Sequence, residues 1–317
     1  TRLNAARFTG SILAGLSGLI VAAKLLSSGT AGYVNMGRVT GAIATFCTLI
    51  SCWGLSPFAK QARQPKKKSE QFINQVKRIL NNQRFIKVIG LYLLLWCGLQ
   101  LMQTVSLIYL EQVMLVPSEV SKWIPVPFQI SALIGLQVWS FYSNKFGRIA
   151  SLFFGGSLWI GACLIAMILP PLNEGVTLDV IWQLNNFDSL KMIILILVIL
   201  TVGFGASTAY LIPWSLLPDA IDADPEKPAG LYTAWMVFVQ KIGIGLSVQL
   251  LGLLLTFTGF RSVVLCSETD HCFDQPNTAL ITIRICMGLI PSILVAVGLF
   301  VMRNWPNTNK EVQSIHL

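Results

Sequence analysis

Residues Tyr210–Ser247 read YLIPWSLLPDAIDADPEKPAGLYTAWMVFVQKIGIGLS. Two apolar runs flank one short acidic turn that carries Asp219, Asp222, Asp224 and Glu226. The first run reaches back to Met192 and the second forward to Thr258. Each exceeds the ~20 residues a helix needs to cross a bilayer. The runs are continuous rather than alternating, which does not fit the strands of an outer-membrane barrel. Lys241 lies ten residues after Leu231, ~15 Å along a helix. That depth is near the bilayer midplane, where an ionisable side chain is a functional hypothesis by default. The competing reading is a structural salt bridge between helices.

The same length test extends outward from this hairpin. It selects eight spans: Phe8–Leu26, Val39–Ser56, Ile86–Leu110, Trp123–Tyr142, Ile149–Pro170, Met192–Leu217, Leu231–Thr258 and Leu280–Met302. The composition agrees, with 54% hydrophobic and only 12% charged residues over 317 and a mean hydropathy of +0.67. A soluble domain carries about 25% charge, so a soluble enzyme, a disordered chain and a nucleic-acid binder are excluded together. The net charge of +9 resolves by topology: fifteen basic residues fall on the side of the termini and three, Arg38, Lys122 and Arg261, on the other. Basic residues mark the cytoplasmic face, so both termini are expected in the cytoplasm. The absence of any Asn-x-Ser/Thr site is compatible with a bacterial inner membrane.

Residues 57–84 form a basic loop that splits the spans two plus six. Within it, Phe72, Ile73, Val76, Ile79 and Leu80 recur at helical spacing. This predicts an amphipathic helix over Ser69–Arg84, lying on the lipid surface or against neighbouring loops.

Polar residues in the spans give the remaining candidates. Gln100, Gln103 and Thr104 share one face of the third span, either lining a polar cavity or bonding between helices. Gln129, Gln137, Gln240 and Gln249 are read the same way. Tyr210 and Trp214 flank Pro213, and a proline inside a membrane helix frees backbone groups. Lys24, Lys87, Lys191 and Arg284 lie near span ends, where snorkelling accounts for them. Small residues crowd Gly10–Ser17 and Gly243–Ser247, which permits close helix approach. Cys266 and Cys272, six positions apart in an outer loop, are a candidate disulfide. No nucleophile elbow, HExxH pair or phosphate-cradling loop is present. The expectation is therefore no catalytic residue, no metal and no enzyme.

The hairpin quoted at the outset also resembles a known family. Pro218, Asp219, Ile221 and Asp222 match its P-D-x-I-D element, and Phe238 and Lys241 its Phe-x-x-Lys element. The family is the glycoside–pentoside–hexuronide:cation symporters, the melibiose-permease-like branch of the major facilitator superfamily. The opening Thr1-Arg2-Leu3-Asn4 looks like the loop before its fifth helix, and the basic loop like its central linker. The resemblance implies an all-α polytopic membrane protein with eight transmembrane helices present of an expected twelve. Residues 1–56 would close the first half, 57–84 form the linker, 85–302 the six-helix second half and 303–317 a cytoplasmic tail. It implies symport of a sugar or glycoside with Na⁺ or H⁺ and no other cofactor, in a monomer whose partners are the bilayer and its substrate. A lysophospholipid symporter of the same fold is the alternative cargo; a non-transporting membrane sensor or scaffold is a third reading. Lys241, Gln240, Gln100, Gln103, Tyr210 and Trp214 would serve substrate or ion coupling. Asp219 and Asp222, with Asp224 and Glu226 beside them, would form a cytoplasmic gate with Lys145 and Arg148, the alternative being a solvated acidic turn; Asn144–Arg148 is similar to a worn copy of the superfamily loop motif. The chain departs from the family before the eleventh helix, where Asp224–Gly230 reads DPEKPAG in place of Gly-x-Arg-x-Glu-Gly.

Overall fold

A computed structural model describes residues 2–26, 30–61, 72–121, 123–173, 187–226, 228–261 and 275–305. All regular elements among them are helical: α1 (Arg2–Leu26), α2 (Thr30–Gln61), α3 (Phe72–Asn81), α4 (Gln83–Ile108), α5 (Ser118–Ser121), α6 (Pro125–Phe146), α7 (Arg148–Ile168), α8 (Phe187–Asp222), α9 (Ala229–Phe257), α10 (Asn277–Met287) and α11 (Leu289–Met302). Seven of the eight expected spans fall mainly on one helix each, and Leu280–Met302 on the pair α10 and α11. Among the described residues, five stretches are long and apolar enough to cross a membrane: Gln83–Val113, Arg148–Ile168, Phe187–Asp222, Ala229–Phe257 and Asn277–Met302. The other three expected spans fall on α1, α2 and α6, of 25, 32 and 22 residues. Even 22 residues rise ~33 Å as a helix, enough for a hydrocarbon core.

The chain divides into two compact units, Thr9–Lys77 on one hand and Thr1–Phe8 with Arg78–Leu317 on the other. In the smaller unit, α2 satisfies its own hydroxyls. Thr45 donates to Gly41 O at 2.9 Å, Thr48 to Ala44 O at 2.7 Å and Ser51 to Cys47 O at 2.8 Å. These bonds one turn back let an apolar helix carry hydroxyls without exposing them to lipid.

In the larger unit, α8 lies between α6 and α7, and α4 joins α8 to α9 and α11. Backbone contact at glycine makes the first packing possible. A Cβ on Gly205 of α8 would lie 2.7 Å from Gly155 O and 2.9 Å from Trp159 N on α7. Close approach was expected in Gly10–Ser17, but Gly10 and Gly15 face open space. The second expected segment does hold a tight glycine, Gly243 against Leu93 and Cys97, and others lie on α6, α7 and α8 at Gly135, Gly155, Gly203 and Gly205. The break between α10 and α11 also has a local cause. Pro291 has no N–H to return to Met287 O, so the helix reorganises at Gly288.

The linker helix forms at α3 but ends early, because Asn82 stops it. Its side chain accepts from Phe85 N at 3.0 Å and caps α4. Only part of the expected apolar face is used: Ile79 is buried, whereas Ile73 and Leu80 are exposed.

Candidate functional site

The sequence singled out Tyr210 and Trp214, and both are buried in an aromatic cluster. Pro213 and Pro218 sit inside α8 without ending it. Trp214 Nε1 donates to Tyr92 Oη of α4 at 3.1 Å. Tyr210 meets Trp96 of α4 edge-on at 5.3 Å, and Tyr92 meets both Trp96 and Trp214 at 5.9 Å. Edge-to-face geometry suits the ring quadrupoles. The start of α1 completes the cluster: Phe8 lies 5.8 Å from Tyr210, and the Arg7 guanidinium 4.6 Å from the Trp214 ring. Sequence reasoning missed Arg7, Tyr92 and Trp96. Aromatics at helical spacing on α4 were a weak signal, and Arg7 was counted only for topology.

Lys241 is exposed on α9, twelve residues after Ala229 and so ~18 Å along the helix. Among the described residues no carboxylate reaches it as an ion pair. Phe238 and Ile242 beside it are exposed as well, and Gln240 is half-buried. α9 leans mainly on α4. There Gly243 sits against Leu93 and Cys97, and Cys97 Sγ lies 3.6 Å from Gly243 O. Lys241 is thus a cation presented outward from the described part of the larger unit.

The three polar residues of α4 separate. Gln100 and Thr104 bond to each other along the helix: Gln100 Nε2 donates to Thr104 Oγ1 at 3.3 Å, and Thr104 Oγ1 to Gln100 O at 2.8 Å. Gln103 faces the Tyr210 hydroxyl and lines a cavity of about 210 Å³ between α4, α6, α8 and α10. Tyr109, Phe128, Val198 and Met287 also line it, so its wall is largely apolar, and Gln129 adds a second amide. Such a space suits an apolar group with few polar contacts.

The expected gate is assembled in part. Gly147 turns the corner between α6 and α7 at φ 97°, which favours glycine, and so sets Arg148 at the start of α7. Arg148 pairs with Asp219 through two bonds, Nη1–Oδ1 at 3.2 Å and Nη2–Oδ2 at 2.6 Å, and Nη1 also donates to Ser215 O at 2.6 Å. Lys145 is not brought to this pair; its Nζ lies 5.2 Å from the Phe146 ring. Asp222 is exposed at the end of α8.

At the other end of the larger unit, two residues assigned to snorkelling hold the backbone. Arg284 Nη1 donates to Met167 O at 3.0 Å and Leu169 O at 2.8 Å, and Tyr109 Oη donates to Ala166 O. The carbonyls at the end of α7 are thereby satisfied. Lys191 Nζ donates to Asp188 Oδ1 at 3.0 Å and Pro171 O at 2.8 Å. Cys266 and Cys272 lie outside the described residues. Among the described residues no His, Cys, Asp and Glu group forms a metal-holding cluster.

With this geometry in place, the family described as MFS/sugar transport protein matches residues 1–309. The chain belongs to this family. It is therefore an integral membrane protein of the major facilitator fold, from a transporter family rather than an enzyme family. It is similar to an uncharacterized symporter of Synechocystis sp., 29% identical over 240 residues, covering 74% of this chain and 40% of the relative. It is also similar to sodium-dependent lysophosphatidylcholine symporter 1 of Xenopus tropicalis, 24% identical over 296 residues, covering 91% and 51%. A third relative is the sphingosine-1-phosphate transporter of Xenopus tropicalis, 20% identical over 193 residues, covering 58% and 32%. This family chain spans about half the length of these relatives or less.

Proposed function

We propose that the full-length protein is a cation-coupled symporter working by alternating access, with Lys241 as the charge that couples ion and substrate. The observation that carries this reading is Lys241 itself: a lysine well inside an apolar helix, exposed, with no ion-paired carboxylate among the described residues. An intramembrane charge of that kind needs a partner, a water-filled cavity or a substrate. Substrate sites in such transporters lie near the midplane where two halves meet. Gln240, Tyr210 and Trp214 would line the path there, and the Arg148–Asp219 pair would brace its cytoplasmic end.

For the cargo, we infer an amphiphile of the lysophospholipid type. The largely apolar cavity beside Gln103 supports this, as do relatives whose names specify lysophosphatidylcholine and sphingosine-1-phosphate. The sugar reading draws support from the family's own description. Uptake by full-length protein in proteoliposomes separates the two. A labelled lysophospholipid should accumulate with an imposed Na⁺ or H⁺ gradient and resist competition by glycosides. Competition by a glycoside, with no lysolipid uptake, would overturn the amphiphile reading. No gradient-dependent uptake of either would overturn symport.

A further inference from the structure

The turn between α8 and α9 buries a carboxylate. Asp224 is 5% exposed, and a buried carboxylate is costly unless bonded and charge-compensated. Within the turn, Asp224 Oδ1 accepts from Glu226 N at 2.9 Å. Its other oxygen accepts from Tyr232 Oη at 2.8 Å, one turn into α9. The compensating charge comes from elsewhere in the chain. Arg78, near the end of linker helix α3, places Nε 3.8 Å from Asp224 Oδ2 and Nη1 2.8 Å from Glu226 Oε2.

Asn82 extends the same contact. Its Nδ2 donates to Tyr232 Oη at 3.0 Å and to Ala220 O of α8 at 2.8 Å, while its Oδ1 caps α4. The Phe85 ring stands edge-on to Tyr232 at 4.7 Å. The end of the linker therefore bonds to the last turn of α8, the acidic turn and the first turn of α9 at once. α9 shares little contact with α8 along its length, so this network is what fixes the start of α9 against α8. The resembling family places an arginine inside this turn. Here the turn carries none, and the described cation at Asp224 is Arg78.

We propose that Arg78 is a positioning residue: the linker, not the turn, supplies the guanidinium that clamps the start of α9, and release of this clamp lets α9 swing from α4. The consequence for transport rests on the symporter reading, because α9 carries Lys241. The clamp itself can be judged without any substrate, since Cys97 reports on the α4–α9 contact and Cys163 and Cys286 lie buried away from it.

The test uses the full-length protein in nanodiscs. Alkylation of each cysteine by a membrane-permeant maleimide is followed by peptide mass spectrometry in wild type, Arg78→Gln and Arg78→Lys. Arg78→Gln should speed Cys97 alkylation about tenfold, the scale of losing one charge-assisted bond, with Cys163 and Cys286 still protected. Arg78→Lys should fall between. An unchanged Cys97 rate in Arg78→Gln would overturn the clamp. So would equal acceleration at Cys163 and Cys286, which marks general loosening. Lysolipid and glycoside uptake by the same samples judges the symporter reading separately, because absent wild-type uptake leaves the alkylation result standing.

Discussion

α8 and α9 are consecutive, both apolar and both long enough to span a bilayer, yet they are held in opposite ways. In the most apolar stretch of each, 61% of α8 is buried within the protein against 17% of α9. α8 is locked by aromatic rings, by backbone contact at Gly205 and by Arg148 on Asp219. α9 rests on α4 and offers its remaining faces, Lys241 among them, outward. Hydropathy reads the two alike because it measures transfer out of water, not the identity of the apolar neighbour. The coupling candidate thus sits on the helix with fewer partners among the described residues.

The contrast can be attacked by paired substitutions, measured as unfolding free energy in one detergent. The largest difference is expected at large side chains. Trp214→Ala in α8 removes a buried ring and its bond to Tyr92, and should cost about 3–5 kcal/mol. Leu246→Ala in α9, at an exposed position, should stay within about 0.5 kcal/mol. The glycines come next. Gly205→Ala drives a methyl into backbone atoms of α7 and should cost about 1–3 kcal/mol. Gly245→Ala meets nothing within 4 Å and should stabilise α9 by about 0.5–1 kcal/mol through helix propensity. The smallest of the α8 effects is expected at its Asp219 end. Arg148→Gln loses both bonds to Asp219, but the pair is partly solvated, so the cost should be about 1 kcal/mol. If α9 substitutions cost as much as their α8 counterparts, the contrast is wrong.

The helices were legible in the sequence because a bilayer imposes one length and one polarity on each, and all eight apolar runs fall on helices. Lys241 was legible for the same reason, as a violation of that polarity. The partners of side chains were not. Arg284 looked like a snorkelling residue because what it holds, Met167 O and Leu169 O, is backbone more than a hundred positions away and leaves no mark in residue type. Arg78 was counted as one of many basic linker residues, and nothing in its own neighbourhood names Asp224. Tyr210 and Trp214 were found through Pro213, whereas Tyr92 and Trp96 sat in an unremarkable apolar run. The gate reading grouped Arg148 and Lys145 with the carboxylates of the turn; Arg148 pairs with Asp219, whereas Lys145 lies against Phe146.

Lys241 carries the central claim, and one substitution addresses it. In the full-length protein, Lys241→Gln should leave the protein folded and inserted, because no ion pair within the described part of the larger unit is lost. Gradient-driven uptake in proteoliposomes should nevertheless fall at least about tenfold, equivalent to ~1.4 kcal/mol of lost coupling, while substrate still exchanges across the membrane without a gradient. Uptake that remains fully gradient-dependent in Lys241→Gln would contradict the account.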